Sequence, residues 1–456
     1  MKKTITAVFI SGILLLFAMC RKPETFPESQ YDERLSGGSQ TAFDNTAGAF
    51  TNPFEGMSEH DLLIHDLGDG AFEATFLTAP SPGNSGLGPA FNNVSCRSCH
   101  HNDGIGVPTA GGNESSLLMR ISLPGMGDHG GPIPVPGYGF QLQDKAVFGK
   151  QPECKVNISY TYQTYSFADG ETYKLWTPDY TLTNLYSPIS GYLLSPRLAP
   201  PVFGLGLLAA IPEMSILANA DVNDANGDGI SGKPNYVWEP LTQTMMLGRF
   251  GLKANTATLL TQVAAAYNND IGITSRVFPK ETVDGQTQMD NLNDDAELPD
   301  SILDAVKFYV QTLQVPARRN VTDAQVIKGK QIFINAKCES CHQQTMTTAV
   351  NVAFSPISNQ RIHPYTDLLV HDMGVGLADG RPDFDANGNE WRTAPLWGVG
   401  LFEKVNYPAF YLHDGRARTL IEAIMWHDGE AHQSVNYVKQ LSKADRDALI
   451  QFLKSL

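Results

Sequence analysis

Two pentapeptides hold the residue types with the greatest chemical reach in this chain: Cys96-Arg97-Ser98-Cys99-His100 and Cys338-Glu339-Ser340-Cys341-His342. Two thiols three positions apart, on a turn entering a helix, reach the vinyl groups along one edge of a porphyrin. The adjacent imidazole then lies beneath the iron. The spacing is that of covalent c-type haem attachment, with His100 and His342 as proximal iron ligands. Zinc knuckles and redox dithiols also use Cys-x-x-Cys. Neither needs His directly after the second Cys, and here both copies have it. Of six cysteines four belong to the motifs, Cys20 lies in the N-terminal segment, and Cys154 reads as a buried small hydrophobe.

The elements that position these motifs read most clearly at the C-terminal end. Thr322-Asp323-Ala324-Gln325 forms a capping box before a helix with Val326, Ile327, Ile332 and Phe333 on its apolar face, running into Cys338. Ser442-Lys443-Ala444-Asp445 caps a closing helix bearing Leu449, Ile450, Phe452 and Leu453. A helix leading to Cys-x-x-Cys-His and a closing amphipathic helix outline a cytochrome c domain over 316–456. The first motif implies a second haem domain over 59–315, whose helix starts around Leu62, Leu63, His65 and Leu67. The expected fold is mainly α, with two cytochrome c-like haem domains, the first enlarged by a β-containing insertion and long loops. Alternation at Val156, Ile158, Tyr160, Tyr162 and Tyr165, then a strand near Tyr173 to Trp176, places a hairpin in that insertion. The Gly- and Pro-rich stretch 101–140 needs a surface to pack on, such as a haem face.

Between helical stretches at 201–219 and 255–270, Asp224, Asn226, Asp228 and Gly229 match positions one, three, five and six of a calcium loop, although Asn235 replaces the closing Glu. The same residues suit a tight solvated turn, and both readings stand. Asp383, Asp385 and Asn387-Gly388 form a weaker echo, read as a turn.

At 456 residues the chain can bury two or three cores. A formal charge of −15 argues against nucleic acid and anionic membrane surfaces as partners. A neutral or basic small redox protein, or a neutral small substrate, fits better. Lys2, Lys3 and the apolar run Ala7–Ala18 read as a targeting segment, too short for a comfortable transmembrane helix. Phe17-Ala18-Met19-Cys20 resembles a bacterial lipobox, which implies a signal peptide over 1–20, a diacylated Cys20 and a cell-envelope lipoprotein. Met19 is bulkier than the usual residue there, so plain secretion stays open, as does an uncleaved anchor. Residues 21–58, rich in Pro, Gly, Ser and Asn, read as a flexible tether.

Further runs resemble a known family. Trp391-Arg392-Thr393-Ala394-Pro395-Leu396-Trp397, Tyr411-Leu412-His413-Asp414-Gly415-Arg416 and Thr419-Leu420-Ile421-Glu422-Ala423-Ile424 are similar to the C-terminal half of bacterial di-haem cytochrome c peroxidases. They are also similar to the di-haem enzyme that matures tryptophan tryptophylquinone. Gly86-Leu87-Gly88-Pro89, Gly139-Phe140-Gln141-Leu142-Gln143-Asp144, Ser195-Pro196-Arg197-Leu198-Ala199-Pro200, Asp228-Gly229-Ile230-Ser231-Gly232 and Gly248-Arg249-Phe250-Gly251 resemble the di-haem oxidoreductase family more closely. Members of that family are described as peroxidases or thiol oxidoreductases.

The resemblance implies a distal ligand for the second haem just after the Leu420–Ala423 helix. The register falls on His427, giving bis-His coordination with His342, while His371 and Met373 form a second candidate pair. His413 would order a haem edge or propionate. Trp397 and Trp426 are core residues or electron relays. For the first haem His101, Met119, Met126 and His129 are all candidate distal ligands, and a ligand that leaves on activation is a further option. An open site needs an acid–base group. Glu213 is the candidate, with a helix N-terminal charge as its alternative reading. Arg249 would polarise a departing oxygen or pair with a propionate. The resulting expectation is reduction of a peroxide at the first haem, with electrons relayed by the second. A di-haem electron carrier without substrate, or an oxidase acting on a partner protein, are the alternatives.

Overall fold

The computed structural model describes residues 32–112, 115–290, 292 and 296–456. The signal peptide expected over 1–20 and the first part of the tether lie outside them. The helices that bear on the site are α1 (Glu59–Glu73), α2 (Leu259–Ala266), α3 (Asp300–Gln311), α4 (Ala324–Asn335), α5 (Leu420–Trp426) and α6 (Lys443–Ser455). The strands are β1 (Leu117–Ser122), β2 (Gln141–Leu142), β3 (Lys155–Ser166), β4 (Thr172–Thr183) and β5 (Leu193–Leu198).

The helix that precedes each motif in the chain crosses a later one at a glycine. α1 opens on Ser58, whose hydroxyl accepts from the Asp61 amide while the Asp61 carboxylate accepts from the Ser58 amide. It packs on α3 so closely that a Cβ on Gly68 would lie 2.1 Å from the Ala305 carbonyl oxygen. In the C-terminal half α4 crosses α6, and a Cβ on Gly329 would lie 2.0 Å from the Ala448 carbonyl oxygen. No side chain larger than hydrogen fits either crossing. The α1 face that enters the core is His65, Gly68 and Phe72. Leu62, Leu63 and Leu67 point outward, opposite to what their spacing predicts. α4 is capped by Asp323, which accepts from the Gln325 and Val326 amides, and not by Thr322. α6 starts on Ser442 as expected.

The expectation of a mainly α fold is overturned: 28% of the chain is helical and 19% is strand, spread over many small sheets. The long Gly- and Pro-rich stretches carry backbone groups that need partners once buried. They find them in short ladders such as Ala90–Phe91 with Lys145–Ala146, or Val370–Asp372 with Glu390–Arg392. β1 is the centre of a three-stranded antiparallel sheet between β2 and β5. Its alternation buries Leu117, Met119 and Ile121 on one face and turns Leu118 and Arg120 toward the central cavity.

The expected hairpin is present as β3 and β4, twelve residues each, paired from Lys155 with Thr183 to Ser166 with Thr172. Its tip reaches the C-terminal half. There the Ala168 amide donates to the Lys439 carbonyl at 3.0 Å. Arg446 lies 3.8 Å over the Phe167 ring and pairs with Asp169 and Glu171.

The tether expected over 21–58 does not hold from residue 32 onward. Thr41 and Ala42 pair in parallel with Val315 and Pro316, and buried Phe50 stacks on Phe203 with ring centroids 4.3 Å apart. Among the described residues no helix is long and apolar enough to cross a membrane.

Candidate functional site

Both Cys-x-x-Cys-His segments adopt the same turn. The His100 amide donates to the Cys96 carbonyl at 3.0 Å, and the His342 amide to the Cys338 carbonyl at 3.0 Å. Both cysteine pairs and both histidines line one continuous cavity of about 530 Å³. The imidazoles are oriented alike. His100 Nδ1 lies 2.8 Å from the Pro200 carbonyl oxygen, and His342 Nδ1 lies 3.0 Å from that of Tyr365. A carbonyl can only accept, so Nδ1 carries the proton and Nε2 keeps its lone pair. Burial pushes both imidazoles down to about 4, which keeps them neutral and ready to ligate.

A third histidine is set in the same way. His427, at the C-terminal end of α5, donates from Nδ1 to the Ala423 carbonyl at 2.7 Å and lines the same cavity. Burial lowers its pKa as well. It stands close enough to His342 that a charge on it would push His342 further down. Carbonyl-fixed imidazoles of this kind are what metal-ligating histidines require around them.

His371 is the opposite case. Its Nε2 lies 2.8 Å from Asp367 and its Nδ1 2.6 Å from Glu430, so no lone pair is left. Burial opposes its charge, but the bonds to Asp367, Cys341 and Glu430 outweigh burial and hold it protonated. The grouping of Cys341, Asp367 and His371 has the proximity for a metal but not the free donors. Burial pushes the free Cys96, Cys99 and Cys338 thiols up to about 12.

A family model described as "Di-haem oxidoreductase, putative peroxidase" matches residues 31–456. The chain belongs to this di-haem oxidoreductase family. No curated protein matches it. The solved structure titled "Kuenenia stuttgartiensis Hydrazine Synthase Pressurized with 20 bar Xenon" aligns over 100% of both chains at 14% identity and a TM-score of 0.35. At that distance it constrains neither fold nor activity here.

The cavity of this di-haem oxidoreductase fits its family's cofactor on two counts. Two thiol pairs stand on its wall, and three imidazoles offer free Nε2 atoms. Arg120, Arg197 and Arg392 line it as well. His413 is on the wall too, buried and stacked on Trp391 with centroids 3.8 Å apart and planes 10° from parallel. Trp397 is buried against Gly204 at the cavity, and Trp426 lies under the Arg416 guanidinium at 4.8 Å. Met373 also lines the cavity, whereas His101, Met119, Met126 and His129 do not.

The remaining candidates lie apart from this wall or have other duties. Glu213 is exposed at the start of the short helix Glu213–Leu217 and outside the cavity lining. Arg249 lines the cavity, but its Nη1 is spent on the Leu208, Ala209 and Ile211 carbonyls at the end of another short helix. Asp224, Asn226 and Asp228 form a surface turn in which their side-chain oxygens accept amides of Gly229, Asp228 and Ile230. Cys154 is buried, as its isolation predicts.

Sequence reading missed two features. One is Asp270 with Arg120 on the cavity wall. The other is a buried ionic cluster beneath Trp391, built from Arg197 and Lys253 on one side and Asp379, Arg381 and Asp383 on the other. Of its members only Asp383 drew notice in the sequence, in the Asp383, Asp385 and Asn387-Gly388 stretch read as a turn.

Proposed function

We propose that this di-haem oxidoreductase carries covalent c-type haems on Cys96/Cys99 and Cys338/Cys341 and reduces a peroxide at the first, with electrons relayed by the second. Held there, haem would supply an iron that exchanges single electrons and activates a peroxide. The observation that carries the reading is the unequal setting of the two proximal histidines. His342 has a neutral imidazole partner in His427, while the four candidate ligands that follow His100 all lie outside the cavity lining. Unequal sites favour an enzyme over a carrier with two closed irons. The net charge of −15 favours a neutral or basic small redox protein as donor.

The test is electron paramagnetic resonance of the oxidised and half-reduced holoprotein, with and without hydrogen peroxide. A high-spin ferric signal lost on peroxide addition, beside a low-spin signal, is the expected result. Two low-spin signals unmoved by reduction or peroxide would sink the reading and leave an electron-transfer protein. An oxidised state that persists without small donors would point to a partner protein as substrate.

The lipobox-like segment supports export and a lipid anchor in the bacterial cell envelope. Cys20→Ala is then expected to move the protein from the membrane to the soluble fraction. Unchanged membrane retention would refute the anchor. The calcium reading of Asp224, Asn226 and Asp228 rests on spacing alone, and no step above uses it.

A further inference from the structure

One cavity-facing carboxyl has no part in the arrangement above. α2 does not end as an ordinary helix but widens into a π turn over Tyr267–Ile271. Such turns re-aim side chains and recur at functional sites. This one is held from two directions. Gln141 and Gln143 donate their side-chain amides to the Asn269 carbonyl at 2.9 and 3.0 Å. The Asn92 and Asn93 backbone amides donate to the Asp270 carbonyl at 2.8 and 3.0 Å. The Asp270 side chain is thereby directed into the cavity. Its Oδ1 accepts from Gln141 Nε2 at 2.7 Å, and its Oδ2 has no hydrogen-bond partner among the described residues.

Across from it, β1 delivers Arg120 to the same wall, also without a hydrogen bond to a protein group among the described residues. Asp270 is the strongest charge acting on Arg120. The Asp270 charge is also felt by Cys96 and Cys99, which assigns the pair to the first motif and not the second.

We propose that Asp270 is the proton-transferring catalytic residue of the first haem's pocket and that Arg120 holds its charge and orients the peroxide. The inference rests on the peroxide reading above. Hydrogen peroxide takes two electrons and two protons to give two waters. Asp270 Oδ2 accepts the proton of the inner oxygen and returns it to the outer one, which leaves as water when the O–O bond breaks. The inner oxygen becomes the second water with two protons from solvent and two electrons from the reduced small redox protein. Burial raises the Asp270 pKa, with Arg120 and Gln141 working to lower it, which suits a group that must both take and give a proton. The charged or titratable groups facing it are Arg120 on β1 and Cys96 and Cys99 on the motif turn, which are not titratable once joined to haem.

The experiment compares the parent holoprotein with Asp270→Asn, Asp270→Glu and Arg120→Gln. It follows the reaction with hydrogen peroxide by stopped flow and, separately, the rate at which cyanide binds the oxidised protein. Hydrogen cyanide must give up its proton to bind, so the second rate reports the pocket base without any turnover. Asp270→Asn keeps an acceptor for Gln141, and is expected to slow both reactions by about 10²- to 10⁴-fold with the resonance spectrum unchanged. Asp270→Glu should recover part of the loss. Arg120→Gln removes the cation that favours the carboxylate, so the acid limb of the pH profile moves to higher pH. An Asp270→Asn protein that handles both ligands within about threefold of the parent overturns the proposal. A parent inert to peroxide whose cyanide rate still falls with Asp270→Asn removes peroxide as substrate and keeps Asp270 as pocket base. Should Asp270→Asn fail to fold, an unshifted acid limb in Arg120→Gln is decisive against the proposal.

Discussion

Replacing His427 with Ala is expected to convert the second haem from a low-spin to a high-spin species and to cut peroxide turnover by roughly 10- to 100-fold. The expectation rests on how the ring is held. α5 starts on Thr419, whose hydroxyl accepts from the Glu422 amide, and its last turn carries His427 to the cavity wall. Nδ1 is fixed on the Ala423 carbonyl at 2.7 Å, which leaves Nε2 directed away from its own helix. Burial keeps the ring neutral, it lines the same cavity as His342, and a charge on it would act on His342, as the proposed shared iron site requires. Without His427 the His342 side keeps one imidazole, and the potential of that site changes with its axial ligand. His371→Ala is the control, because both its nitrogens are occupied by Asp367 and Glu430. That variant is expected to lose stability while keeping the low-spin signal. Electron paramagnetic resonance of the two variants decides the matter. A low-spin signal that survives His427→Ala and disappears with His371→Ala would reverse the assignment.

What was legible in the sequence depended on whether a residue's role is local. The motif turns are fixed by five consecutive residues, and the β3–β4 hairpin by period-two alternation, so both were readable. The place of His427 on the cavity wall was reachable because a helix register and a family likeness coincide on it. The mainly α expectation failed where long Gly- and Pro-rich stretches satisfy their backbone through two- or three-residue ladders with distant segments, as Thr41–Ala42 does with Val315–Pro316. Periodicity cannot report so short a strand. The α1 leucines misled for a related reason. A helix that crosses another at Gly68 turns its glycine face inward, and the larger side chains are left outside. Asp270 and Arg120 lie 150 positions apart, on a π turn and a strand edge, and only tertiary packing brings them to one wall. The run Asn268-Asn269-Asp270 ending an apolar helix was the available hint.

Replacing Lys253 with Met is expected to destabilise the protein by about 3–5 kcal/mol, the usual cost of breaking a buried ion pair from one side. Lys253 is fully buried, and its ammonium donates to Asp379 and to the Arg381 and Asn387 carbonyls at 2.8, 2.8 and 2.9 Å. With Met in its place the Asp379 carboxylate, 1% exposed, keeps Ser195 and the Arg381 amide as donors but loses its cation. The effect reaches the cavity because Lys253 also sits 4.5 Å from the centre of the Trp391 ring, on which His413 stacks. The same cluster sets an acid limit. Burial would raise the pKa of Asp383, but Arg197, Arg381 and Lys253 together hold it well below the usual carboxylate range. A carboxylate depressed in the folded state contributes stability above its unfolded pKa of about 3.9 and loses it as pH falls further. Urea unfolding of parent and Lys253→Met at neutral pH and near pH 3 measures both effects. The parent should lose stability steeply below about pH 4, and the variant should start lower and fall less, since one of the three cations holding Asp383 is gone. Equal midpoints at neutral pH would mean that the cluster carries no net stability, and that Trp391 and His413 are held by packing alone.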